Sequence, residues 1–328
     1  MYKAPNYSSL KAVAAAAVAV CITALAGTTL AQDWPTRAVT LVVPYGPGAS
    51  NDTFTRSVAD IMSRSLGQPF VVENRPGAGG FTGTNSVVQA EPDGYTFVEV
   101  PNSIVSFGPI MKVDLDPFED LTPVGLMAKA PTAMVVPSSL PVTTVQEFID
   151  YAKANPETTF YGMAGIGTTQ HQHGELFNRM AGTNLQSVNY KSSADAQADL
   201  VAGRLHLMFV TVASALGQIE AGQLRLLAYT DDNYPEGAPE APTMAEAGVP
   251  GMEGAQIFWG LFGPAGLPED IKTKMNAALN EALQDPAFVE LTAKSGATPA
   301  PGTPEDFVAA LQEEAATLAE FVKTVALE

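Results

Sequence analysis

Two stretches of this chain put glycines and short hydroxyl side chains where a greasy, strand-like run gives way to a helical pattern. Residues 39–62 read VTLVVPYGPGASNDTFTRSVADIM, and residues 158–180 read TTFYGMAGIGTTQHQHGELFNRM. A helix start leaves N–H groups unpaired and carries roughly half a positive charge. Such a start can hold an anion without a lysine. Glycine lets the backbone approach a guest closely and reach positive φ. Gly46 and Gly48 shape the first loop, and Ser50, Asn51 or Asp52 can cap the helix behind it. Gly165 and Gly167 shape the second; Thr168 and Thr169 cap, and Thr169 with Gln172 fits a capping box. A single loop of this kind is more often an ordinary strand–helix turn. A pair, set apart in the chain, points to two jaws of one anion site.

Other chemistry is weaker. Neither loop continues into Gly-Lys-Ser/Thr, and neither completes G-x-G-x-x-G with a placed acid, so nucleotide cofactors are not expected. His171 and Glu175 share a helical face, but His173 points elsewhere, and a zinc site needs three or four ligands. No metal is expected, and His171 is read as a donor beside the second loop. A Ser50–His171–Asp triad can be drawn, yet no G-x-S-x-G elbow supports hydrolysis. Arg75 and Lys191 could each reach a carboxylate; a structural ion pair, for Arg75 with Glu73, is the preferred reading. Neither catalysis nor a cofactor is expected.

The elements that must position the two loops are legible by period. AVTLVVPY, PFVVENRPGAGG and YTFVEV read as strands, and DTFTRSVADIMSRSLG places Phe54, Val58, Ile61, Met62 and Leu66 on one helical face. Thr144 with Glu147 opens a capped helix that Pro156 stops. Helix, glycine and strand then repeat twice, in ADAQADLVAGRLHLMFV and ASALGQIEAGQLRLLAYT. Strands alternating with helices in this way predict an α/β fold with mainly parallel sheets. Two loop–helix units predict two lobes. The extended run TPVGLMAKAPTAMVVPSSLP is the expected crossing between them. The expected division is residues 32–130 plus 228–328 in one lobe and 131–227 in the other.

Residues 1–31 read as a secretory leader: Lys3 and Lys11, an alanine- and valine-rich run, then Thr29 and Ala31 before the expected cut. The only cysteine, Cys21, falls inside it. The formal charge of −18 becomes −20 once the two leader lysines are lost. Such acidity argues against nucleic acid or an anionic membrane as a partner. Screening beyond roughly 8–10 Å leaves a local donor cluster free to bind an anion. The expected address is the periplasm.

The segments GQPFVVENRPGAGG, EPDGYT, GTTQHQHGEL, NYKSSADAQADLVAGRLHLMF, APTMAEAG and WGLFGPAGLPEDI together resemble the Bug, or TctC-like, family of tripartite tricarboxylate transport receptors. The resemblance covers nearly all of the chain after the leader. It implies a two-lobed periplasmic binding protein of type II, a monomer that closes on a small carboxylate and presents it to membrane permease subunits. Carried over, the ligand loops are Tyr45, Gly46, Pro47, Gly48, Ala49, Ser50, Asn51 and Asp52, and Ala164 to His171. This chain has Val210 where the family often has an aspartate that can hold an amino group, which disfavours amino-acid ligands. It has Phe81 where the family often has asparagine. With Tyr45, Phe107, Phe209 and Trp259, Phe81 could line a pocket for an aromatic or bulky apolar carboxylate, or belong to the core. A sensor acting on a membrane partner and a periplasmic hydrolase are the competing readings.

Overall fold

The computed structural model describes residues 34–48, 50–231, 238–252 and 255–324, so the leader lies outside the described residues. In chain order the elements begin with β1 (Val39–Val43), α1 (Ser50–Leu66), β2 (Phe70–Asn74), α2 (Phe81–Val88), β3 (Thr96–Pro101) and the long β4 (Leu121–Pro137). Then come α3 (Val145–Ala154), β5 (Phe160–Met163), α4 (Thr169–Ala181), β6 (Gln186–Asn189), α5 (Ser193–Val201), β7 (Met208–Thr211), α6 (Val212–Glu220) and β8 (Leu224–Tyr229). The chain finishes with β9 (Gln256–Pro264), α7 (Glu269–Gln284), α8 (Pro286–Lys294), β10 (Thr298–Pro299) and α9 (Pro304–Thr324).

Strand β4 organises the molecule. From Leu121 to Pro131 it pairs with β9, and beyond it β3, β1 and β2 extend the first sheet. From Thr132 to Pro137 it pairs instead with β7 on one side and β8 on the other. The parallel pair β5–β6 adjoins β7 through the Tyr161–Leu207 bridge. The run read as an extended crossing is thus one strand shared by two sheets. The sheets are α/β as expected but mixed rather than mainly parallel. Strands β1, β2 and β3 run parallel, as do β5 and β6, while β4 and β9 enter antiparallel to their neighbours. A strand returning between sheets arrives head-on, and no βαβ crossover constrains its direction.

Each sheet buries its own core. One is built around Val42, Val98, Phe107, Phe262, Phe307 and Leu311, and another around Met134, Phe148, Tyr161, Phe177 and Phe209. Fully burying such a side chain contributes about 1.5–3 kcal/mol, so these clusters hold the loops in place. Capping is local and strong where the sequence signals it. Thr144 Oγ1 accepts the Glu147 N–H at 3.1 Å, while the Glu147 carboxylate accepts from the Thr143 N–H. Thr303 and Asp306 cap α9 reciprocally. Among the described residues no helix is long and apolar enough to cross a membrane.

Candidate functional site

Between the carboxyl ends of β1 and β5 lies a cavity of about 570 Å³. Strand ends that face helix starts are where open α/β sheets place ligands. The first loop contributes Tyr45, Gly46, Pro47, Gly48, Ser50 and Asn51 to its wall. Ala164, Thr168 and Thr169 come from the second loop, and Val210 from β7. Ala49 lies outside the described residues.

The first loop is braced by an acid. Gly48, at φ 89°, donates its N–H to the Asp52 carboxylate at 3.0 Å. Arg56 and Asn74 donate to the same carboxylate, and Asn74 also reaches the Tyr45 carbonyl at 3.1 Å. Burial works to raise the Asp52 pKa, but the hydrogen bonds from Arg56, Gly48 and Asn74 outweigh it and hold the carboxyl below its ordinary value. Asp52 is therefore a clamp within the loop rather than a wall residue of the cavity. Behind Asn51 lies Glu99 on β3, fully buried, which accepts the Asn51 amide at 2.9 and 3.1 Å.

The second loop is braced by neutral groups. Gly165 and Gly167 take φ of 134° and 81°. The Gly167 N–H is accepted by Nδ1 of His171 at 3.1 Å, and the Ala164 N–H by Oε1 of Gln170 at 2.9 Å. The Gly167 carbonyl accepts from Gln172 and, from the segment that follows β3, from Ser106 Oγ at 2.7 Å. His171 Nδ1 thus accepts within the loop, the residue does not border the cavity, and burial lowers its pKa against the opposing charge of Glu175. Gly165 and Gly167 likewise set the turn without lining the cavity. The Thr169–Gln172 capping box does not form. Thr168 is the N-cap, and its hydroxyl donates to the Gly165 carbonyl at 2.8 Å instead of accepting from the helix. By helix geometry the first-turn N–H groups, from Thr169 to His171, then lack intrahelical partners.

Phe81 is core. Its ring meets Phe107 edge-on at 6.2 Å and packs against the first sheet's cluster, so neither aromatic faces the cavity. Phe209 and Trp259 do line it. The Trp259 Nε1 is a buried donor without a hydrogen-bond partner among the described residues. The cavity wall also includes Ser103, Thr132, Lys191, Ser193 and Gln197, none of which the loop pattern singles out. Lys191, for which either role stayed open, makes no ion pair among the described residues, whereas Arg75 does pair with Glu73 at 2.7 Å as expected. No cluster of metal-binding side chains occurs among the described residues.

Two sheets sharing a strand, with an anion-competent cavity between paired strand–helix loops, define a two-lobed binding protein of the periplasmic type, and solved structures confirm that fold. A protein of R. palustris solved with adipate is 36% identical, with a TM-score of 0.83 over 89% of this chain and 98% of that one. MatC of Rhodopseudomonas palustris, solved with malate, is 29% identical, with a TM-score of 0.81 over 88% of this chain and all of that one. BugT of Bordetella pertussis is 33% identical over 84% of this chain and 85% of its own. Residues 54–327 match the profile of the tripartite tricarboxylate transporter family receptor, TctC, and the chain belongs to that family. It is a family of receptors, not of enzymes.

Proposed function

We propose that this receptor captures a small organic carboxylate in the periplasm, for delivery to the membrane subunits of a tripartite tricarboxylate-type permease. The observation that carries the reading is that one cavity is bounded by both glycine loops at once. The uncapped first turn of α4 supplies peptide N–H donors for the carboxylate. Charge-assisted bonds from such donors are about twice as strong as neutral ones. Adipate and malate in the two relatives support the carboxylate class. The leader-like sequence and the family support the periplasm.

The lobes in this reading are residues 32–130 with 228–328, and 131–227. Pairing of β4 changes partners at Thr132, where Thr132 and Thr230 exchange backbone and hydroxyl hydrogen bonds of 2.9–3.1 Å. A turn about these two threonines would open and close the cavity, and the Ser106–Gly167 bond is the contact that opening would break. A thermal-shift and calorimetric screen of C4–C6 dicarboxylates, hydroxy acids and aromatic acids tests the proposal. A rise in midpoint with a carboxylate, returned chemically unchanged, is the expected result. Absence of any carboxylate response, or turnover of one, sinks it.

A further inference from the structure

The wall formed by Tyr45, Asn51 and Ser103 has an acid directly behind it. Glu99 is the one charged residue in the strand Thr96–Pro101, and its side chain is fully enclosed. Asn51 Nδ2 donates to both of its oxygens. A carboxamide has only two polar ends. With the amino end on Glu99, the carbonyl oxygen Oδ1 is turned away from it, and Asn51 borders the cavity. An ionised Glu99 can only accept and therefore enforces this orientation. A protonated Glu99 can donate to Oδ1 and so release the amide's amino end toward the guest.

We propose that the Glu99–Asn51 pair sets the hydrogen-bond polarity of this wall and that binding of a carboxylate draws one proton from solvent onto Glu99. The proposal rests on the carboxylate-receptor reading. The groups facing Glu99 agree with it. On α1 stand Asp52, tied to Arg56, and Asn51; at the loop Tyr45 is hydrogen-bonded with Ser103 and feels the Glu99 charge; on β9 the strand partner is apolar Leu261. Burial, reinforced by Asp52 and opposed by the Asn51 bond, pushes the Glu99 carboxyl up to about 8. An anion entering the cavity adds a further negative charge and favours the neutral acid. Asn51 touches the guest; Glu99 is a positioning residue acting through it.

The test is calorimetric titration of the mature protein and of Glu99→Gln with adipate and with malate between pH 6 and pH 9.5. In the unaltered protein, affinity is expected to hold level up to about pH 7.5 and then fall about tenfold per pH unit above pH 8. In Glu99→Gln the profile is expected to be flat, because glutamine can meet either end of the Asn51 amide without a proton. Should the variant not fold, the unaltered protein titrated at pH 8.5 in two buffers of different ionisation heat gives the answer. Uptake of more than about half a proton per ligand is expected there, and none at pH 6. A flat profile in the unaltered protein, the same slope in both proteins, or no uptake at pH 8.5 overturns the proposal. Failure of adipate, malate and every other carboxylate of the screen to bind removes the carboxylate reading and this inference with it; binding of any of them without proton linkage removes this inference alone.

Discussion

The two glycine loops occupy equivalent places, at the end of a first parallel strand and the start of a helix, yet they are braced by opposite chemistry. The first is fixed by Asp52, a buried carboxylate that accepts the Gly48 N–H, and has a second acid, Glu99, behind it. The second is fixed by His171, Gln170 and Gln172, all uncharged, and its helix cap leaves the first turn unsealed. The second loop is thus braced without a carboxylate, and the nearest acid on its helix, Glu175, stands one turn beyond His171. In the proposed reading the neutrally braced jaw supplies the grip, and the acidic jaw supplies rigidity.

Gly167→Val breaks the neutral jaw and is expected to have the largest effect. Its φ of 81° is one that a β-branched residue resists, and an added Cβ would stand 2.7 Å from Ser106 Oγ. Strain of about 1–3 kcal/mol plus the lost Ser106 contact should weaken carboxylate binding about a hundredfold or more. Calorimetry on a variant with unchanged circular dichroism measures it; binding within threefold of the unaltered protein would show that the second loop does not hold the guest.

Asp52→Asn tests the acidic jaw through stability. Loss of the charge-assisted bonds to Gly48, Arg56 and Asn74 should cost about 1–3 kcal/mol at neutral pH by urea unfolding. The folded-state carboxyl lies below its unfolded value of 3.8, so its contribution is present above that value and is lost as pH falls through the lower one. The gap between the two proteins should therefore close below about pH 4. A gap that persists at pH 2 would mean that packing, not charge, is what Asp52 supplies.

Gly48→Val shows how unequal the two glycines are. Sequence alone treats them alike, as glycines that shape paired loops. In the structure Gly48 has the same kind of φ, 89°, but nothing lies within 4 Å of an added Cβ. Only the backbone term of about 1–2 kcal/mol remains, so about a tenfold loss is expected in the same calorimetric assay. A loss as large as that of Gly167→Val would place the Gly48 backbone against the guest itself.

How much of this was legible in the sequence depends on the range of the interaction. The strand–loop–helix pattern is local, and Tyr45, Gly46, Gly48, Ser50, Asn51, Ala164, Thr168, Thr169 and Val210 do border one cavity. Asp52 and His171 do not border it: each folds back over four residues to an N–H of its own loop, an internal bond that residue type cannot distinguish from a ligand contact. Phe81 was ambiguous because its edge contact with Phe107 depends on chain 26 positions away. Glu99 left a signal that could have been used: it is the single acid in the apolar run YTFVEVP. Its meaning came only when β1, β9 and α1 closed over it.

Lys191 offers the finest test of the contrast. It lies on the cavity wall at the approach to α5, exposed, and makes no ion pair among the described residues. If peptide N–H groups of the neutral jaw hold the anion, an exposed ammonium adds only long-range attraction. Exposed charges contribute little, and salt screens them beyond about 8 Å at physiological ionic strength. Lys191→Met should then weaken adipate binding about twofold at low salt, with the difference vanishing near 0.5 M salt, where the Debye length is about 4 Å. A tenfold loss that survives high salt would reveal direct contact, and the grip would have to be shared between the α4 start and a cationic side chain.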